Sequence, residues 1–279
     1  MFKSALKYSI VCMILLLLFF SLTCKRPVSP TYTDVNALHD YIKARPDIFS
    51  ADVYDTSSDD PNFYREITRR ENWITVNIRE PDDSIHYFRY ANVTWDDSIQ
   101  GSFHTFISGK EYTKEFKAFS RVKAYFEQWG NSGDIYKGWL LMKVSNGEIY
   151  SLPKPAGGFG QVNVTFSGSS KSIAVDQLIN VDSVLKFDKS AEVSFGILVS
   201  DTSDYYFLHI FEEGAWREIP FHQVSGKEYE AFWTTSSSSQ DLNVYKHAYI
   251  DFLDNESVAD TTVKYSSKAW AVLYKIRSQ

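Results

Sequence analysis

Cysteine and histidine are scarce in this sequence, which holds two Cys and six His among its 279 residues. No two histidines stand at metal-ligand spacing on one predicted element, and the chain has neither a CxxC pair nor an HExxH motif. We therefore expect no metal site and no cofactor.

The usual catalytic signatures are also missing. The chain has no GxSxG elbow, no Walker A loop and no GxGxxG fingerprint. Gly157–Gly160 is glycine-rich, but no helical pattern follows it, so it is typical of a linker. A glycosidase would need two carboxylates at a defined separation, and the adjacent Asp96 and Asp97 fall in a predicted turn. No catalytic residue is assigned.

An excess of basic charge is absent as well. Lys and Arg total 29 against 35 Asp and Glu, for a net charge of −6, so no broad basic surface for nucleic acid is expected. Aromatic residues, by contrast, make up 16% of the chain. With 20 Phe and 18 Tyr, this composition favours strands.

The longest apolar run is too short to cross a bilayer as a helix. It extends from Ile10 to Leu22, whereas a spanning helix needs about 20 residues. Lys3 and Lys7 precede it. Residues 1–23 are therefore predicted to be a secretory signal peptide.

A cysteine directly after this run resembles the signal of bacterial lipoproteins. The resemblance implies cleavage before Cys24 and attachment of diacylglycerol to its thiol, which would make the membrane a partner and place the protein outside the cytoplasm. Ser21 and Thr23 depart from the common lipobox, so an uncleaved anchor and a secreted protein stay as alternatives. Lys25, rather than Asp, follows the cysteine, which favours the outer over the inner membrane.

Proline and glycine divide the remaining chain. Residues 24–33 contain Pro27 and Pro30 and are predicted to form a tether. Residues 152–160 hold two Pro and three Gly and are predicted to be a linker. The two predicted domains are residues 34–151 and 161–279.

The first half begins with helical patterns and then changes to a period of two. Helices are predicted at 35–43, capped by Asp34, and at 60–70. Strands follow at 73–78, 86–95, 99–107, 119–129 and 136–144, with a turn at 96–98 and a loop at 131–134. This order resembles the NTF2-like (cystatin-like) α+β fold, which implies two helices closing one side of a curved antiparallel sheet.

Many NTF2-like domains bind small apolar molecules, so the resemblance implies a pocket inside the sheet. The aromatic side chains on these strands either fill a core or line such a pocket, with a few polar groups among them. The candidate pocket residues are Trp73, Arg89, Tyr90, Trp95, Phe103, His104, Phe126 and Trp139.

The second half is predicted to consist of strands throughout. Seven short strands separated by turn residues resemble an immunoglobulin-like β-sandwich, and a carbohydrate-binding jelly roll would show a similar pattern. Trp216 and Trp233 either stack on sugars or belong to the core. The predicted strands are residues 161–166, 181–187, 192–199, 205–212, 229–234, 242–253 and 269–276.

Two groups of acidic residues could supply oxygen ligands for calcium, although neither has EF-hand spacing. Helix capping and turn formation explain them equally. The groups are Asp55, Asp59 and Asp60, and Asp251, Asp254 and Glu256.

The sequence therefore predicts an anchored protein of the cell envelope. Its expected function is non-catalytic binding of a small ligand or a protein partner. The alternative is an envelope enzyme or binding module that acts on carbohydrate or on a small hydrophobic molecule.

Overall fold

The computed structural model describes residues 32–50, 63–81 and 88–278. Strands predominate in these ranges and form two sheets, one of 11 strands and one of five. Short helices cover part of the larger sheet. The predicted signal peptide, Cys24 and most of the tether lie outside the described residues.

The described chain contains three α-helices, α1 (Asp34–Lys43), α2 (Pro46–Phe49) and α3 (Asn255–Ala259). The helix predicted at 35–43 is confirmed as α1. Its cap was predicted one residue too late, because the Thr33 hydroxyl accepts the hydrogen bond from the backbone N–H of Asn36 and Asp34 is the first helical residue.

Sixteen strands are present in the described ranges. In chain order they are β1 (Phe63–Arg79), β2 (Tyr90–Ile107), β3 (Lys110–Gln128), β4 (Trp139–Ser145), β5 (Gly147–Ser151), β6 (Phe159–Phe166), β7 (Ser169–Ile173), β8 (Leu178–Asn180), β9 (Leu185–Asp188), β10 (Glu192–Val199), β11 (Tyr205–Glu212), β12 (Ala215–Pro220), β13 (His222–Ser225), β14 (Glu228–Thr234), β15 (Tyr245–Leu253) and β16 (Ser267–Arg277).

The larger sheet joins strands from both halves of the chain. Its main path is β1-β2-β3-β5-β16-β15-β11-β12, while β4, β8 and β9 pair at its side. β1, β2 and β3 are an antiparallel meander of unusually long strands. β5 pairs with β3 on one side and with β16 on the other, so this single strand connects the meander to the C-terminal strands.

The predicted NTF2-like α+β fold is wrong. Residues 63–70, predicted as a helix, belong to β1, in which Phe63 and Arg65 are buried on one face while Glu66 is exposed on the other. That alternation has a period of two, and the apolar spacing of Phe63 and Ile67 had imitated a helix face. The sheet also does not stop at the meander, because β16, β15, β11 and β12 extend it.

The predicted turn at 96–98 is wrong as well, because β2 runs without a break from Tyr90 to Ile107. Asp96 forms an ion pair of 2.7 Å with Arg121 on β3, and Asp97 accepts a hydrogen bond of 3.0 Å from the Ser120 hydroxyl. The neighbouring strand thus provides partners for the carboxylates of two acidic residues, a residue type that is otherwise typical of turns.

The smaller sheet has the order β13-β14-β10-β6-β7 and packs face to face on β16, β15 and β11. The strand-rich character predicted for the second half is confirmed. Inward-facing side chains of both sheets form the sandwich core, which includes Phe187, Phe195, Trp233 and Tyr274. Trp233 is 3% exposed and therefore belongs to the core rather than to a sugar-stacking surface.

Two further clusters lie on the opposite face of the larger sheet. One packs Phe103 on the meander against Tyr249 and Ala271 from the C-terminal strands. The other packs α1 and α2 on β2, β3 and β4, with Leu273 of β16 at its border. Both clusters therefore contain residues from each side of the predicted linker at 152–160.

Candidate functional site

The outer face of the five-stranded sheet carries a polar trough. On β10, Phe195 and Ile197 point into the core, so the alternation of the strand turns Gly196 and Leu198 outward. The same alternation turns Asn163 outward on β6 and Glu230 outward on β14.

Gly196 forms the floor of this trough. It lies in register with Asn163 on one side and Glu230 on the other, and the row continues to His222 and Ser172 at the sheet edges. A Cβ at Gly196 would meet only the Asn163 carbonyl oxygen, at 3.9 Å. The glycine is therefore not required by packing, and a glycine inside a strand commonly marks a close approach of a ligand.

Two cavities of about 420 Å³ each lie along this face, one over Gly196 and the other over Ser194, and Thr165 lines both. Three strongly exposed apolar side chains stand beside the polar residues: Leu198 at 48%, Val224 at 64% and Phe232 at 64%. The trough thus combines amide, hydroxyl and carboxylate groups with apolar walls.

The polar groups of the trough are open to a ligand. Within the described chain, no hydrogen bond or ion pair occupies the carboxylate of Glu230. Asn163 accepts a hydrogen bond of 3.2 Å from the Gln161 amide, and its own amide group stays available as a donor. Such a surface offers both acceptors and donors to a hydroxyl-bearing molecule.

A larger cavity, of about 610 Å³, lies at one end of the sandwich near Glu212. Burial raises the pKa of the Glu212 carboxyl, although hydrogen bonds from the Trp233 indole and the Ser236 backbone oppose this. These bonds are 3.0 and 2.7 Å long and use both carboxylate oxygens. Glu212 is therefore committed to holding the 236 loop in place.

An aromatic groove of about 270 Å³ lies where α2 meets β11, β12 and β15. Trp216, the second candidate for sugar stacking, lines it together with Phe211 and Tyr249. The three rings pack on one another, with centroids 5.3 Å apart for Phe211 and Trp216 and 5.7 Å apart for Trp216 and Tyr249. Aromatic rings thus form much of the lining of the groove, whereas polar side chains form most of the lining of the trough.

A buried ion network crosses the larger sheet beneath β1. Arg65 on β1 lies 2.8 Å from Asp251 on β15, and His209 on β11 lies 3.4 Å from the same carboxylate. Burial acts to raise the pKa of Asp251, but the charge of Arg65 and the hydrogen bond with His209 outweigh it and lower the pKa. The Tyr265 hydroxyl accepts a hydrogen bond of 2.8 Å from Arg65. This network joins β1 to the C-terminal strands.

The residues predicted to line a pocket are distributed over both faces of the meander. Phe103 and Phe126 are fully buried in two different clusters, and Trp95 packs with Phe49 of α2. Trp73 is 44% exposed and contacts Phe119, while His104 stacks on Tyr64 with ring centroids 4.2 Å apart.

Four members of the predicted set do come together, because Trp95, Phe126 and Trp139 share the cluster covered by α1 and α2 and Arg89 lies beside Trp139. The Arg89 guanidinium lies 5.9 Å from the Trp139 ring centre, and both contact Asp34. Tyr90 packs instead against Tyr125. None of the four cavities described above is lined by any residue of the predicted set.

The acidic groups have other partners where the structure describes them. Asp251 belongs to the ion network, and Asp254 caps α3 by accepting hydrogen bonds from the backbone of Glu256 and Ser257. The group at 55–60 lies outside the described residues. In the described ranges, no three His, Cys, Asp or Glu side chains are grouped so that they could hold a metal ion.

Sequence reasoning did not find the trough. It located β6, β10 and β14, but alternation does not say which face of a two-sided sheet is covered. The available signal was the run of small or polar outward residues at 161, 163, 165, 194 and 196.

Comparison with known proteins gives no relative: no protein-family model, no curated protein and no solved structure matches this chain. None of the described helices is long and apolar enough to span a membrane.

Proposed function

We propose that this protein binds a hydroxyl-rich ligand of the carbohydrate class, without chemical conversion, in the trough on the outer face of the five-stranded sheet. The observation that carries the proposal is the row of Asn163, Gly196 and Glu230 between exposed apolar walls. Sugar hydroxyls both donate and accept hydrogen bonds, which suits the polar row of the trough. The C–H faces of sugars are apolar and suit its apolar walls.

We further propose that binding takes place at the cell envelope, with the chain anchored through acyl groups on Cys24. The short apolar run and the cysteine that follows it support this part of the proposal. The intact mass of protein extracted from its native membrane tests it. A mass matching residues 24–279 plus acyl chains is expected, and an unmodified chain that begins at Met1 would contradict it.

A glycan array tests the ligand class. The wild-type chain is expected to bind at least one oligosaccharide class, and Gly196→Phe is expected to abolish that binding, because the new ring would fill the trough. Gly160→Phe is the matched control, since Gly160 is also an open position on β6 but lines neither cavity of the trough. Binding that survives Gly196→Phe, or an array without any signal, would overturn the proposal.

Hydrolysis of a carbohydrate is a second candidate function, favoured by one observation. Glu228 and Glu230 point to the same face of β14 and both line the trough. Their Cα atoms are about 7 Å apart, given the rise along a strand. Side chains that extend from the same face at this spacing can hold their carboxyl groups about 6.5–9.5 Å apart, the separation that inverting glycosidases use. Release of reducing sugar by the wild type but not by Glu230→Gln would favour this function over binding alone.

A further inference from the structure

Four exposed apolar side chains form a patch around the ends of β3 and β4, far along the meander from the middle of β1. We call Phe88, Trp129, Ile135 and Leu140 the apolar patch. Their exposed fractions are 38%, 56%, 82% and 48%. Phe88 and Trp129 stack with ring centroids 4.6 Å apart, so the two largest side chains form one surface. Exposed apolar side chains that contact one another, as Phe88 and Trp129 do, commonly mark an interaction site.

The loop that carries the patch is held firmly. The backbone N–H of Trp129 donates a hydrogen bond of 2.9 Å to the carbonyl of Gly138, which closes the loop at its base. The backbones of Gly130 and Gly138 lie so close together there that a Cβ on Gly138 would be only 2.3 Å from the Gly130 Cα. A larger residue at position 138 would therefore not fit. Tyr136 packs on Tyr41 of α1, with ring centroids 5.0 Å apart. The exposure of Trp129 and Ile135 is therefore built into the loop.

The same loop contacts the first described residues of the chain, which follow the N-terminal segment. The Lys137 ammonium lies 3.4 Å from the carbonyl oxygen of Tyr32 and 3.1 Å from the carboxylate of Asp34. Cys24 is eight residues before Tyr32, and eight residues span at most about 28 Å when fully extended. A membrane that holds Cys24, or the apolar run before it, is consequently within reach of the patch.

We infer that the apolar patch rests on the surface of the lipid bilayer to which the N-terminal segment is attached. The inference relies on the membrane attachment proposed above, but not on how the segment is attached. Tryptophan is enriched at membrane interfaces, where its indole N–H stays hydrated or hydrogen-bonded. Here the Trp129 indole donates a hydrogen bond of 2.9 Å to Glu127.

The charges beside the patch are compatible with this contact. The carboxylate of Asp34 is paired with both Lys137 and Arg89, at 3.1 and 3.0 Å. Arg89 also pairs with Glu80 at 3.0 Å, and Glu127 and Asp134 lie beside Trp129 and Ile135, so the surroundings of the patch are acidic overall. Binding is therefore expected on uncharged lipid, because apolar burial rather than attraction to anionic headgroups drives it.

Tryptophan quenching by lipid tests the inference. The full chain is reconstituted into phosphatidylcholine vesicles that contain lipid brominated near the headgroup, and emission is compared with unbrominated vesicles. We expect Trp129→Phe to remove at least half of the bromine-dependent quenching, since the wild type places this indole in the lipid. Trp73→Phe is the matched control, because Trp73 is 44% exposed but lies about 25 Å from Trp129 along the strands.

Flotation of the same samples separates the two proposals. If the chain floats with the vesicles and Trp129→Phe is quenched as strongly as the wild type, the patch does not touch lipid and the inference fails while the anchoring proposal stands. If the chain does not float with the vesicles, membrane attachment fails and the inference fails with it. Loss of quenching in Trp129→Phe but not in Trp73→Phe supports both.

Discussion

Glu212 shows how a single buried acid can hold a loop. Both of its carboxylate oxygens accept hydrogen bonds from otherwise buried donors, the indole of Trp233 and the backbone N–H of Ser236. In Glu212→Gln, one of these donors would face an amide N–H₂ group. We expect a loss of roughly 2 kcal/mol in the free energy of unfolding, the cost of one buried unsatisfied donor. Urea denaturation measures it.

The neighbouring Glu213→Gln is the control, because Gln can still accept the hydrogen bond from the Ser236 hydroxyl. We expect its unfolding free energy to stay within about 0.5 kcal/mol of the wild type. Equal losses in the two variants would contradict the role assigned to Glu212.

The raised pKa of Glu212 makes the same substitution sensitive to pH. The folded state binds this proton more tightly than the unfolded state, whose pKa is near 4.5, the ordinary value for glutamate. The contribution of protonated Glu212 to the free energy of unfolding is therefore complete below that value, and it declines as the pH rises through the pKa of the folded state. We expect the deficit of Glu212→Gln relative to wild type to be larger at about pH 4 than at about pH 7. A deficit that grows with pH would contradict the sign.

Arg65 attaches the whole of strand β1 to the C-terminal strands. Its ion pair with Asp251 is buried, with side-chain exposures of 4% and 1%. Arg65→Met would leave the Asp251 charge without its main partner, and we expect a loss of about 3–5 kcal/mol. Arg69→Met on the same strand removes an exposed pair with Glu71 and should cost less than about 1 kcal/mol. Similar losses in both variants, measured by denaturation, would show that the network does not hold β1.

The elements also show how far the sequence could predict this fold. β10 and β11 were located at their observed ends, because their apolar runs are bounded by turn residues. The sequence does not predict β5, β7, β8, β12 or β13. β7, β8, β12 and β13 are short edge strands with little apolar alternation, and β5 follows β4 after a single residue, so no turn pattern separates the two. Only the first part of β1, residues 63–70, is predicted wrongly, because the spacing of Phe63 and Ile67 imitates a helix face, whereas the strand at 73–78 is predicted correctly. The trough was missed because its exposure depends on which face the other sheet covers.

At the scale of the whole molecule, one sheet and two cores are shared by both halves of the chain. β5 connects the meander to β16, and Leu273 packs in the same cluster as Val93. We expect the wild-type chain to unfold in a single transition, with near-ultraviolet circular dichroism and tryptophan fluorescence giving the same midpoint. Two separated midpoints would indicate that the halves on either side of residues 152–160 fold independently.

Hydrogen–deuterium exchange with and without ligand shows which surface of the protein binds the ligand. The ligand is the oligosaccharide that gives the strongest array signal, added to the wild-type chain. We expect slower exchange confined to β6, β10 and β14, the strands that carry Asn163, Gly196 and Glu230. Protection at the aromatic groove around Trp216, or at the Glu212 cavity with the five-stranded sheet unchanged, would contradict it.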